Sequence, residues 1–258
     1  MNRMQDAHTL NAQYKTAHSL NIRIAFHQKY SLQTQPFHDW LFSQYAFTPG
    51  MRILEIGCGS GSLWQGKLET MPVPQEMILT DVSPGMVEEA KAALPPLPFL
   101  SFRTADMQAL PFPDASFDMV IANMMLYHVP DVQKALWEVS RLLKKGGVFF
   151  CATSGEKTVV DYIREILGGE KVLPHISFTL QNGAAQLAPH FSKVECLKRQ
   201  DALMVTDLAD LLAYIHSLAS ISGLDEAGDA ALLSKLEGRM EKGVLTIPKE
   251  YGTFRCVK

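Results

Sequence analysis

Four places in this 258-residue sequence gather side chains able to hold a polar ligand, and each directly follows a short apolar run. Gly57, Gly59 and Gly61 alternate in Gly57-Cys58-Gly59-Ser60-Gly61, immediately after Ile53-Leu54-Glu55-Ile56. Asp81 follows Met77–Thr80, Asp106 follows Phe99–Arg103, and Asn123 follows Phe117–Ala122. Alternating glycines let a backbone turn tightly and come close to a ligand. Asp81, twenty residues beyond Gly61, can accept both hydroxyls of a ribose. Asp106 can accept the exocyclic amino group of an adenine. The set implies a ligand with adenine, ribose and a third polar end.

The apolar runs are strand-like, and helical patterns separate them. Ser83 makes a good N-cap, Pro84 suits the first helical position, and Val87, Ala90 and Leu94 continue a helix. Asp131 caps a second helix through Val132, Leu136, Val139 and Leu143. That helix is expected to end at Lys144-Lys145-Gly146-Gly147, before a fifth strand at Val148–Ala152. Strands alternating with helices imply parallel crossovers and a sheet covered on both faces. In such a sheet ligands bind beyond the carboxyl ends of the strands, where all four groups fall. Before Thr48, helical spacings predict two or three short amphipathic helices, an N-terminal cap over 1–47. The remainder, 48–258, reads as one α/β domain with a helical insertion at about 154–190. Its tail has a strand at Val194–Leu197, helices near Leu208–Leu218 and Asp229–Lys242, and a last strand at Tyr251–Val257.

Composition narrows the class. Lys plus Arg (24) against Asp plus Glu (27) gives a formal charge of -3, without the basic surplus of a nucleic-acid binder. No apolar run approaches the ~20 residues of a membrane helix, and the polar start lacks a secretory signal. Four scattered cysteines suggest reduced thiols and a cytoplasmic setting. No Cys/His cluster has metal-ligand spacing. Nothing in the sequence speaks to oligomeric state.

A glycine loop with an acidic residue about 20 positions on also occurs in nicotinamide enzymes. Here Ser62 stands where the dinucleotide fingerprint places its third glycine. Glu55 and Asp106 add negative charge to the rim, which would repel a pyrophosphate and favour a sulfonium cofactor. Ile53–Gly61, Leu79-Thr80-Asp81-Val82-Ser83-Pro84-Gly85-Met86, Asp106–Phe112, Phe117–Val120 and Leu142–Gly147 resemble, in order, the motifs of the class I S-adenosylmethionine-dependent methyltransferases, in their small-molecule branch. The resemblance covers roughly Met51 to Thr153. It implies a Rossmann-like, mostly parallel seven-stranded sheet with an antiparallel last strand, helices on both faces and a helical cap.

The resemblance also implies roles. Gly57, Cys58, Gly59 and Gly61 would approach the methionine and ribose of S-adenosylmethionine, with Glu55 anchoring that loop. Asp81 would hold the ribose hydroxyls, Val82 and Met86 would lie against the adenine, and Asp106 with the amide of Met107 would read its edge. Asn123 would face the methionine amino group. Asn123-Met124-Met125-Leu126 departs from the tetrad of nucleobase amino methyltransferases, which favours a small-molecule acceptor. Tyr127 and His128 should point toward the methyl group, where His128 serves as a base or fixes its own loop. Tyr14, Arg23 and Tyr30 are candidates for the methionine carboxylate, since a guanidinium pairs with it bidentately; Arg23 on a solvated helix face is the alternative. The expected reaction is methyl transfer to oxygen, nitrogen or carbon, leaving S-adenosylhomocysteine. A non-catalytic S-adenosylmethionine-binding module and a nucleotide-dependent oxidoreductase are the alternatives.

Overall fold

A computed structural model describes residues 17–157, 159–167, 177–218 and 228–258, with side chains from residue 21 onward apart from that of Leu167. Tyr14 lies outside the described residues. The elements in chain order are α1 (Ala17–Tyr30), α2 (Phe37–Gln44), β1 (Arg52–Ile56), β2 (Glu76–Asp81), α3 (Pro84–Ala93), β3 (Leu100–Thr104) and β4 (Phe117–Ile121). There follow α4 (Val132–Leu142), β5 (Leu143–Ser154), α5 (Val159–Leu167), α6 (Gly183–Leu187), β6 (Lys193–Val205), α7 (Leu208–Ser217), α8 (Asp229–Glu237) and β7 (Leu245–Val257).

The seven strands form one sheet in the order β3-β2-β1-β4-β5-β7-β6. The pairs β1–β2, β1–β4, β2–β3 and β4–β5 are parallel. β7 runs against β5: Gly146 N–H donates to Lys258 C=O, and Gly155 N–H donates to Glu250 C=O. The order reverses beside β1, so the carboxyl ends of β1 and β4 open a crevice at the switch point.

Two compact units divide the chain. The larger comprises Gln35–Thr153, Ser177–Lys198 and Gly252–Lys258. Strand alternation builds its two cores, because successive side chains point to opposite faces. Ile53, Met77, Leu79, Met119 and Ile121 pack with Leu41 of α2, Trp64, and Ala90 of α3. Leu54, Ile56, Ile78 and Val120 pack the other way, with Leu136 and Val139 of α4 and Leu187 of α6. A sheet buried on both faces explains strands that read as unbroken apolar runs. The smaller unit gathers the described residues within Met1–Thr34, Ser154–Ile176 and Arg199–Tyr251. Phe26, Leu203, Leu211, Tyr214, Ile215, Leu236, Leu245 and Ile247 form its core.

The helix caps fall where expected: Ser83 Oγ accepts from Met86 N–H, and Asp131 Oδ1 from Lys134 N–H at 3.0 Å. The end of α4 does not. It stops at Leu142, and Leu143 already pairs with Phe117 in the sheet. Leu143 is fully buried, so sheet packing there outweighs continuation of the helix. Lys144-Lys145-Gly146-Gly147 becomes an irregular strand entry, with a register shift opposite Phe117 and Met119 and with Gly146 at φ +77°. Lys144 Nζ lies 2.8 Å from Asp118 instead of serving a helix terminus. The last helix is shorter than expected, ending at Glu237, whereas β6 and β7 are both longer. In β7 the early part, Leu245–Tyr251, alternates buried and exposed positions, and it carries a lysine at one buried position, Lys249. That charge hides the strand in a hydropathy reading.

Candidate functional site

β1 delivers Glu55 and then breaks into the glycine loop. Gly57, Gly59 and Gly61 all have left-handed backbones, at φ +72°, +54° and +74°, which side chains other than glycine rarely adopt. Cys58 N–H donates to Thr80 C=O at 2.9 Å, and Thr80 Oγ1 donates to Glu55 C=O at 2.8 Å, tying the loop to β2. The Trp64 indole N–H donates to Glu55 Oε2 at 2.6 Å beneath the loop. Burial pushes the Glu55 carboxyl up to about 7, against the Trp64 bond, with the Asp81 charge adding to the rise. Burial, with Glu55 and Asp81 nearby, also raises the Cys58 thiol well above its ordinary value, so Cys58 is a packing residue and no nucleophile.

The raised Glu55 has a signed consequence. Between its ordinary 4.5 and about 7 the folded chain holds a proton that the unfolded chain has released, so stability falls as pH rises through that window. Urea denaturation at pH 5 and pH 8 should show this loss, and Glu55→Gln should remove most of it. An unchanged pH dependence in Glu55→Gln would overturn the assignment.

Asp81 faces the loop from the end of β2. Its Oδ2 accepts from Gly59 N–H at 3.0 Å and its Oδ1 from Ser83 N–H at 2.9 Å. Each carboxylate oxygen keeps a lone pair for a further donor. Val82, the next residue, exposes 69% of its surface, and Met86 is half-buried on the first turn of α3. Beyond β3, Asp106 is exposed and accepts from Gln108 N–H at 2.8 Å, whereas the Met107 side chain is buried.

β4 delivers Asn123. Its Nδ2 donates to Tyr45 Oη at 2.8 Å, while its Oδ1 is buried without a hydrogen-bond partner among the described residues. Met124 takes a left-handed φ of +54° and donates its N–H to Ala152 C=O at 2.8 Å. That turn sets Met125 against the glycine loop, where a Cβ on Gly57 would lie 2.9 Å from Met125 Cγ. Tyr127 and His128 follow in a single turn over Leu126–His128, with ring centroids 4.5 Å apart. The His128 amide donates to Met125 C=O at 2.9 Å.

Tyr45, Trp64 and Thr80 organise this site, and no spacing in the sequence marks them. Each acts across the fold, on Asn123, Glu55 and the backbone of Glu55 respectively. Arg23 and Tyr30 belong to the smaller unit, where the Tyr30 hydroxyl donates to Asp210 Oδ2 at 2.6 Å.

The larger unit's residues suit an adenosyl cofactor with a cationic tail. A Cβ on Gly59 would meet no atom within 4 Å, so the loop leaves open space beside its backbone. The orphaned Asn123 Oδ1 calls for a donor, since a buried acceptor without one costs about 1–3 kcal/mol. Asp81 supplies most of the negative field that favours a sulfonium and an ammonium, because Glu55, pushed up to about 7, is only partly ionised at neutral pH.

Residues 54–151 match the family described as "Methyltransferase domain". A demethylmenaquinone methyltransferase of Symbiobacterium thermophilum is 32% identical over 122 residues, which are 46% of this chain and 49% of that protein. The chain thus spans about half the length of that curated relative. The solved structure of YcgJ from Bacillus subtilis superimposes with a TM-score of 0.58 at 20% identity, covering 86% of this chain and 97% of that one. Phosphoethanolamine N-methyltransferase 2 of Haemonchus contortus, solved with S-adenosyl-L-methionine, gives a TM-score of 0.60 at 16% identity, covering 99% of this chain and 60% of that one. Both structures share the Rossmann-like fold.

Proposed function

Residues 54–151 form a methyltransferase domain of the class I S-adenosylmethionine-dependent type, and from that premise we propose that this chain methylates an oxygen, nitrogen or carbon nucleophile of a small molecule. The observation that carries the reading is the convergence of the Asp81-anchored glycine loop with the orphaned Asn123 Oδ1 at neighbouring strand ends. S-adenosylmethionine supplies a methyl group already activated on a sulfonium. The chain's own part is binding, alignment and water exclusion.

Asp81 would accept the ribose hydroxyls through the lone pairs left by Gly59 and Ser83. Val82 and Met86 would cover the adenine, with Asp106 and the Met107 amide at its edge. Gly57, Cys58, Gly59 and Gly61 would let the backbone approach the methionine portion. Glu55 would hold the loop from beneath, and Asn123 would accept from the ammonium. Oriented reactants recover much of the barrier of a bimolecular displacement, so an acceptor with a ready lone pair needs little more than a nearby base. His128, beside Tyr127, is that base in this reading. The net charge of -3 supports a small-molecule acceptor over nucleic acid, and four free thiols support a cytoplasmic setting.

Incubation with methyl-labelled S-adenosylmethionine and a panel of quinol, phenol, amine and carboxylate acceptors tests the proposal. Acceptor-dependent label transfer is expected; tight cofactor binding without transfer to any class would leave a binding module instead. His128→Ala should lower turnover on the order of a hundredfold and leave cofactor affinity unchanged. The low end of the usual general-base effect applies, because the sulfonium supplies most of the driving force. Full activity in that variant would remove His128 as a base.

A further inference from the structure

The turn after β4 holds a backbone that its residue does not favour. Met124 stands at φ +54°, where an L side chain crowds its own backbone. A residue so placed persists only where its surroundings fix it. Beyond Met124 the turn is fixed by packing. Met125 wedges against Gly57, whose missing Cβ would stand 2.9 Å from Met125 Cγ and 3.0 Å from Met125 Cβ. On the strand side, the Ala122 and Met124 amides donate to Phe150 and Ala152 C=O of β5, both at 2.8 Å.

Between those two amides lies Asn123, and its side chain is held from far away in sequence. Tyr45, which directly follows α2, meets the Asn123 amide at 2.8 Å through its hydroxyl. The Tyr45 ring is buried and fixed edge-on, with centroids 4.9 Å from Phe150 and 5.7 Å from Phe47. Burial raises the hydroxyl far above its ordinary value, so the phenol stays neutral. A neutral phenol both donates and accepts, so it can hold either end of the amide. All these residues belong to the larger unit.

We propose that Tyr45 is a positioning residue of the cofactor site: by anchoring the Asn123 side chain it keeps the left-handed turn at Met124, and so keeps Met125 wedged against Gly57. The inference rests on the reading of the glycine loop as the S-adenosylmethionine site. Without the hydroxyl, the Asn123 amide loses its anchor and the strained turn relaxes. Met125 then withdraws from Gly57, and the first residue of the loop is no longer preorganised for the ligand. Glycine adopts a left-handed backbone without steric cost, so a glycine at position 124 should hold the turn with no anchor at all.

The test compares the full chain as wild type, Tyr45→Phe, Met124→Gly and the double variant. Tyr45→Phe keeps the ring and removes one oxygen. Calorimetric titration with S-adenosylhomocysteine should show at least fivefold weaker binding when Tyr45→Phe is made in wild type. The same substitution in the Met124→Gly background should cost less than twofold. A Tyr45 that merely stabilises the core would cost the same in both backgrounds, and that result, or a larger loss beside glycine, overturns the proposal. The Gly57 amide NMR signal, recorded without ligand, should shift in Tyr45→Phe relative to wild type and show no such shift between Met124→Gly and the double variant. Equal shifts in both backgrounds, or none in either, overturn the proposal. If Tyr45→Phe alone does not fold, a folded double variant is the same rescue, and an unfolded one overturns it. Failure of the cofactor reading shows separately, as wild type that does not bind S-adenosylhomocysteine, and the Gly57 signal then still decides the role of Tyr45.

Discussion

Asp81→Ala is expected to weaken S-adenosylmethionine binding by about 10–100-fold, within the ~1–3 kcal/mol for a charged hydrogen-bond acceptor whose partners are left unmet. Two losses combine. The ribose hydroxyls lose their acceptor, and the Gly59 and Ser83 amides lose the carboxylate that now holds the loop at 3.0 and 2.9 Å. Asp81→Asn keeps one acceptor oxygen and should fall between wild type and Ala. Calorimetric titration of the three proteins checks the order. Equal affinity in all three would remove Asp81 from the cofactor site.

A second comparison separates ligand space from packing space within one loop. Gly59→Ala should cost the folded chain about 1–2 kcal/mol, the strain of a left-handed backbone alone, because its Cβ meets nothing within 4 Å. It should nevertheless cut cofactor affinity more than tenfold by filling the space beside the loop. Gly61→Ala carries the same strain, and its Cβ would also lie 2.9 Å from Leu94 Cδ1 and 3.3 Å from Ala90 Cβ. Its loss of thermal stability should therefore exceed that of Gly59→Ala. Thermal melts and titrations of the pair decide it. Gly59→Ala binding as wild type would mean that the open space holds no ligand.

How much of this was legible in the sequence depends on the reach of each interaction. Glu55, the three loop glycines, Asp81, Asp106 and Asn123 each follow an apolar run, so a local pattern of strand and turn was enough to place them on one rim. Ser83 and Asp131 were equally legible as caps, because a cap acts within three residues of itself. The end of α4 was not, since Leu143 is drawn into the sheet by Phe117, far away in sequence. The early half of β7 was hidden by Lys249, whose burial only makes sense with Asp201 opposite it. Tyr45 and Trp64 were invisible for the same reason: their work is done on Asn123 and Glu55, through contacts no spacing encodes. The left-handed turn at Met124 likewise has no glycine to announce it.

The most direct measurement is calorimetric titration of the full chain with S-adenosylmethionine, S-adenosylhomocysteine and NAD. One molecule of either sulfur nucleoside should bind per chain and NAD should not bind. A chain that ignored both, or that preferred the dinucleotide, would contradict the account.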